Sequence, residues 1–413
     1  MAPIAADPLI DLAYRHTDLQ ITDILARATE IADFCAANAA AIDRNGAFPI
    51  AEFERIAKAD LLAAPLQAQL GGVGLGIDAN TTYELLLLLK QIGRGNLAVG
   101  RIYEGHINAL QLIQTFGTPA QIEAYASDAR DRHKIFGVWN AEAEDGVKLH
   151  SLSDDQQNER YRLEGSKTFC SGSGFVDRPF ANGALPDGSC QMCIVPMEEV
   201  ATVSDPSWWQ PSGMRATASF KVDFSGVELE ATSLIGKPGD YFRQPWLSAG
   251  VIRFAAVQLG GAEALLDATR EYLQSLNRTS DPYQQHRLGR MAIAIESGNL
   301  WLQGAANQVK AYAPMFGGNP HHPPQQSDQL VAYANMVRTA IEQICMETIQ
   351  LCERSVGTRG LLPPHPMERI IRDLSLYLRQ PVFDGALANV GQYALSQGVP
   401  TSCLWMGGSN AEC

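Results

Sequence analysis

The stretch YRLEGSKTFCSGSG, residues Tyr161–Gly174, sets the period of the middle of the chain. Tyr161 and Leu163 stand between Arg160, Arg162 and Glu164, so apolar and charged side chains alternate at every residue. A period of two is that of a strand with one buried and one wet face. Glu164-Gly165 supplies a turn, and Phe169 continues the apolar series. The same alternation returns at Phe220, Val222 and Phe224, which are separated by Lys221 and Asp223. Turn signals at Pro186-Asp187-Gly188 and Ser225-Gly226 punctuate the interval. Residues 136–237 therefore read as a small antiparallel β domain of about 100 residues.

Outward from this segment the period becomes helical on both sides. Ile21–Ala40 and Ile50–Leu62 carry apolar residues at helical spacing. GGVGLG (Gly71–Gly76) breaks the pattern, and Thr81–Ile92 is apolar on nearly every face, which predicts a helix buried all round. Beyond residue 240, Phe254, Val257, Gly261, Leu265, Ala268 and Tyr272 fall on one stripe. Helical patterns follow at Gln284–Tyr312, Gln329–Glu353, Pro366–Leu378 and Asp384–Ser396, with a Pro/Gly-rich loop over 313–328. Helices, then strands, then helices is not the order of a doubly wound sheet. The expected architecture is mostly α: a helical domain over 1–135, a β domain over 136–237 and a helical bundle over 238–413.

Composition narrows the function classes. The 413 residues carry a formal charge of −13, which argues against a nucleic-acid partner. An anionic small ligand needs only a local basic pocket. The start MAPIAADPLIDLAYR lacks a charged head followed by an apolar core, and the longest notable apolar run, Leu85–Leu89, is far too short to span a bilayer. The expectation is a soluble cytoplasmic protein with no membrane partner. Eight cysteines are scattered, and Cys190-Gln-Met-Cys193 is the only close pair, so reduced buried thiols are expected and no metal site. The GGVGLG run has Ile77 where a dinucleotide fingerprint needs its third glycine, and it follows no strand. Around Ser173 the residue two positions earlier is Ser171, so there is no nucleophile elbow.

Several segments carry more information in their order than alone. These are DRNGAFPIAEFERIAKADLLAAPLQAQLGGVGLG (43–76), NLAVGRIYEGHINALQLIQTFGTPAQIEAY (96–125), the Tyr161–Gly174 stretch, GMRATASFKVDFSGVEL (213–229) with LIGKPGDYF, then Asn277-Arg278-Thr279 and ERSVGTRGLLPPHPMERIIRDL (353–374). Together they closely resemble the acyl-CoA dehydrogenase family of flavoproteins. The resemblance implies an N-terminal helical domain, a central β-barrel and a C-terminal four-helix bundle. It implies FAD wedged between barrel and bundle, and a homodimer or homotetramer whose neighbouring subunit completes the cofactor site. It also implies an acyl-CoA or acyl-carrier thioester substrate and an electron acceptor such as an electron-transfer flavoprotein.

Site residues follow from the same resemblance. FGVWNAEAEDG (Phe136–Gly146) stands where the family has a T-E-P-x-A-G-S-D-like loop along the flavin; Trp139 and Asn140 occupy it, and the threonine is absent. GSKTFCSGSG matches the family's G-x-K-x-W-I-T-N, with Phe169 for the tryptophan near the flavin and Ser171 for the threonine that bonds the ring. Arg278 matches an arginine that reaches the diphosphate of a neighbouring subunit's FAD, a role suited to a permanently charged fork. SVGTRG (Ser355–Gly360) stands in place of I-L-G-G-N-G; Gly357 and Gly360 are kept, and Arg354 and Arg359 add charge beside them. The plainer readings are a core tryptophan, a solvated helix-end arginine and a helix C-cap. Arg215, in GMRATAS, reads as a structural residue near the substrate mouth.

The dehydrogenase reaction needs a carboxylate base in a dry pocket. The family's lead-in R-D-x-x-x-Y is present as Arg372, Asp373 and Tyr377, but the Y-E-G-T position is displaced. With a three-residue insertion, Phe383-Asp384-Gly385-Ala386 lines up with it. Asp384 is then either the base or the cap of the following helix. The earlier helix that bears the base in some relatives reads Ser248–Arg253 here, without a carboxylate. Two activities follow: an FAD-dependent acyl-CoA dehydrogenase with Asp384 as base, or a flavin monooxygenase on the same fold that needs no such group. A non-catalytic homologue fits the same losses.

Overall fold

The computed structural model describes residues 20–152, 160–313 and 327–405. The expected loop over 313–328, with His321-His322, lies almost wholly outside them. Among the described residues, five α-helices come first: α1 (Ile21–Asn45), α2 (Ile50–Lys58), α3 (Thr82–Gly95), α4 (Leu97–Phe116) and α5 (Pro119–Arg130). On α1 the buried residues Ile24, Ala28, Ile31, Cys35 and Ala39 repeat at helical spacing. Its end is fixed by Gly46, whose φ of 60° suits a residue without a side chain.

As expected, α3 is enclosed. It packs against α1, α4 and the two helices α6 (Trp246–Ser275) and α7 (Pro282–Tyr312). Glycines permit this. A Cβ on Gly93 would lie 2.3 Å from Val257 O, one on Gly260 2.0 Å from Lys90 O, and one on Gly95 2.4 Å from Ala32 O. The backbones of α3, α6 and α1 therefore meet with no side chain between them. By length and composition α6 is apolar enough to cross a membrane, which the reading of short apolar runs missed. Most of that surface is buried against α3 and α8, so it belongs to the core.

The described residues of the middle segment form eleven short strands. The strand β1 (Phe136–Val138) pairs in parallel with β5 (Arg178–Phe180). A six-stranded sheet has the order β10 (Glu228–Glu230), β3 (Arg160–Glu164), β2 (Lys148–Ser151), β6 (Gly183–Ala184), β7 (Cys190–Cys193), β11 (Leu234–Ile235). A third sheet has the order β4 (Ser166–Cys170), β9 (Phe220–Asp223), β8 (Val203–Asp205). The domain is not purely antiparallel, since β1–β5 and β2–β6 run parallel. Strand pairing among the described residues gives three sheets and no closed ring.

The last part is helical: α6 and α7, then α8 (Ser327–Gly360), α9 (Met367–Tyr377) and α10 (Phe383–Ser396). Helix α8 packs on α6, α7 and α10, and α9 lies on α6. The R-D-x-x-x-Y segment proves to be a clamp. Arg372 donates to Asp43 Oδ2 at 2.7 Å and to Ser212 O at 2.6 Å, and Asp373 Oδ1 accepts from Met214 N at 2.6 Å. It thereby joins bundle, helical domain and β domain. Cys35, Cys170, Cys190, Cys193, Cys345 and Cys352 are free thiols as expected, whereas Cys403 is disulfide-bonded.

Candidate active site

The site begins with the sequence of α4. Its buried apolar residues are interrupted by Arg101, Glu104, Asn108 and Gln111, three and four residues apart, so they share one face. Arg101 Nη1 donates to Glu104 Oε2 at 2.9 Å, and Asn108 Nδ2 donates to the other carboxylate oxygen. From α6, Arg253 Nη1 donates to Asn108 Oδ1 at 2.5 Å. The result is a buried chain of arginine, carboxylate, amide and arginine. Burial pushes the Arg253 guanidinium down to about 10, against the charge of Glu104, which raises it. Tyr377, the last residue of the R-D-x-x-x-Y segment, is buried beside the chain. Burial, reinforced by the Glu104 carboxylate, drives its phenol far above the usual range, and its hydroxyl has no partner.

The Asn108–Arg253 end of this chain borders a cavity of about 650 Å³, a size typical of small-molecule sites. It lies between the Gly76–Asn80 turn, α3, α4, the start of α6, and the facing residues of α7 and α8. Much of the wall is apolar, with Leu85, Leu86, Leu112, Trp246 and Val309 among its residues. The end of β1 reaches it through Val138.

Helix α4 is held by two buried residues that sequence patterning did not single out. Tyr103 Oη donates to Leu61 O at 2.7 Å. His106 Nε2 donates to Leu62 O at 2.8 Å, while its Nδ1 accepts from Phe136 N at 3.1 Å. Those partners set the tautomer. Burial pushes the imidazole down to about 4, against the bond to Leu62 that favours its charge.

The residues expected at a flavin ring converge in part. Trp139 is 1% exposed, and its Nε1 donates to Ser171 O at 2.9 Å. Asn140 accepts from Asn182 Nδ2 at 2.9 Å. The Ser171 hydroxyl meets that of Ser219 at 2.9 Å. Phe169 departs from the period-two alternation of its strand. The pairing of β4 with β9 shifts register between Lys167 and Cys170, Phe169 has φ 52°, and its ring turns out, 53% exposed, edge-on to Trp208 at 4.8 Å. A bulge breaks the alternation of side chains, so Phe169 leaves the apolar face its spacing assigns it. Lys167 points inward instead and pairs with Glu142 Oε2 at 2.6 Å.

Arg278, Arg354, Gly357 and Gly360 lie elsewhere, at one end of the bundle. Gln284 Nε2, at the start of α7, donates to Ser355 O and joins the two segments. Arg278, Arg354 and Gly357 are exposed, and neither arginine forms an ion pair among the described residues. Gly357 breaks α8 with φ 59° and ψ −171°. Asp384 is exposed in the first turn of α10, off the cavity wall. It is not the cap either, since Val382 holds that position with φ 62°. The dry surroundings that the base role requires are not supplied by this chain.

With this geometry in view, comparison with known proteins gives the class. Residues 23–130 match the acyl-CoA dehydrogenase N-terminal domain and residues 252–378 the acyl-CoA dehydrogenase C-terminal domain. The chain belongs to the acyl-CoA dehydrogenase family. Among individual relatives, a dibenzothiophene monooxygenase of Rhodococcus erythropolis is 25% identical over 94% of this chain and 96% of its own. The mouse short-chain specific acyl-CoA dehydrogenase is also 25% identical, but over 81% and 80%. The fold matches that of FMN-bound TdsC from Paenibacillus sp. A11-2 with a TM-score of 0.81, at 23% identity, covering 93% of this chain and all of the other.

Proposed function

We propose that this chain is a flavin-dependent monooxygenase built on the acyl-CoA dehydrogenase fold. One observation carries the reading: among the described residues, no carboxylate stands free in the cavity to take a proton from substrate. Glu104 is held by Arg101 and Asn108. Asp78, on the wall, is exposed and accepts from Asn80 N at 2.8 Å. Asp384 lies outside. A dehydrogenase would need Glu104 released or Asp384 carried inward. Full-length similarity to dibenzothiophene monooxygenases supports the same reading.

The residues fit the polar edge of a flavin. Asn182 Oδ1 and the Tyr377 hydroxyl are buried without partners, and the Ser171 hydroxyl can donate. Trp139, Asn140, Phe169 and Ser171 would hold the ring. Arg278, Arg354, Gly357 and Gly360 would hold phosphate, as FMN or FAD, from a second copy of the chain. Reduced flavin, with O2, would deliver one oxygen atom to the substrate and release the other as water, so a separate reductase replaces the electron acceptor of a dehydrogenase. The chain's own work is then to bind and orient a substrate with an apolar body and exclude water. The test is an anaerobic titration of the flavin-loaded protein with a panel of acyl-CoAs. No thioester is expected to bleach the flavin. Bleaching that is lost in Asp384→Asn would restore the dehydrogenase.

A further inference from the structure

The polar chain on α4 leaves a charge imbalance at the cavity. Arg101 and Arg253 bring two positive charges, and Glu104 brings one negative charge that lies against Arg101. Arg253 is only 9% exposed, lines the cavity, and forms no ion pair among the described residues. A buried guanidinium whose hydrogen bond goes to a neutral amide, with Glu104 acting on it only from beyond contact, is costly, because its desolvation is not repaid by an opposite charge in contact. Asp78 is not that charge: it is exposed, and it is engaged by Asn80. Two more groups on the same wall lack partners. Gln111 Nε2 and Thr82 Oγ1 are buried without a hydrogen bond. Gln111 follows Asn108 by three residues, so its amide and the guanidinium that Asn108 holds open on one cavity.

We propose that the cavity takes an organic acid, whose anionic oxygen pairs with Arg253 and whose second acceptor meets Gln111. Its apolar body lies against Leu85, Leu86, Leu112 and Val309. Identifying this acid as the substrate rests on the monooxygenase reading; its binding does not. A guanidinium and an amide donor are left unsatisfied by a purely apolar ligand, and a wall of leucines is left unused by a small hydrophilic anion.

The test is calorimetric titration of the full chain, with no flavin added, using 2-naphthoate and its neutral methyl ester. The acid should bind about tenfold more tightly than the ester. Arg253→Gln should abolish that preference and leave ester binding unchanged, and Arg253→Lys should restore part of it. Gln111→Leu, which leaves the guanidinium in place, should weaken the acid about threefold and not the ester. An ester that binds as well as the acid, a preference that survives Arg253→Gln, or no saturable binding of the acid up to millimolar concentration would overturn the proposal. Because flavin is absent, such a failure leaves the monooxygenase reading standing. Failure of that reading shows instead in the thioester titration.

Discussion

At the scale of single residues, the site is supported by side chains whose polar atoms are spent on the fold. His106 is the clearest case. It is neutral in the folded chain, with its pKa pushed down to about 4, and ordinary in the unfolded chain at about 6.5. Below about 6.5 the unfolded chain binds the extra proton, so this residue's contribution is complete above that pH and is lost as pH falls toward 4. The loss should reach roughly 3 kcal/mol. Thermal melts between pH 7 and 4 should therefore fall steeply for the native protein and more shallowly for His106→Asn. Trp139→Phe keeps most of the buried volume but removes the donor to Ser171 O, and should cost about 1–3 kcal/mol in chemical denaturation. Legibility at this scale was uneven. Trp139 and Ser171 were named from their motifs and do meet. The outward turn of Phe169 is not legible, because a one-residue bulge between Lys167 and Cys170 is invisible to a period-two pattern. Asp384 was a residue type in the right order without the burial that its role demands, and burial depends on partners far along the chain.

At the scale of elements, the helices are legible because hydrophobic spacing fixes them locally, and the enclosure of α3 is legible because it is apolar on nearly every face. What spacing does not give is how closely helices approach. Gly93 and Gly260 let α3 and α6 touch backbone to backbone. Gly260→Ala would force them apart, since its Cβ meets the carbonyl of Lys90; it should destabilise by about 1–3 kcal/mol or more and lower the melting temperature by several degrees. The polar stripe of α4 had a readable signal. Arg101, Glu104, Asn108 and Gln111 recur at helical spacing inside an otherwise apolar segment, and the last two of them line the cavity. Its counterpart Arg253 lies about 150 residues on, and only the folded α4–α6 pairing unites them. The R-D-x-x-x-Y segment was read as the approach to a base. Its first two residues serve as a clamp between three domains, and its tyrosine is buried beside Glu104 and Arg101.

At the scale of the whole molecule, order of segments settled the fold and left the chemistry open. The same helical domain, sheets and bundle serve dehydrogenation and oxygen transfer, so the difference rests on a few groups in one cavity. The exposed arginines at the bundle end belong to this scale, because the role proposed for them is to hold a second copy's flavin. Arg278→Ala with Arg354→Ala should weaken flavin binding at least about tenfold, measured by fluorescence titration, while the melting temperature without flavin stays unchanged. The central claim is oxygen transfer, and product analysis under 18O2 tests it most directly. The protein, supplied with reduced flavin, would be incubated with a panel of aromatic heterocycles and aromatic acids. The reading predicts at least one product carrying a single 18O atom. No labelled product from any member, together with flavin bleached by an acyl-CoA under argon, would contradict it.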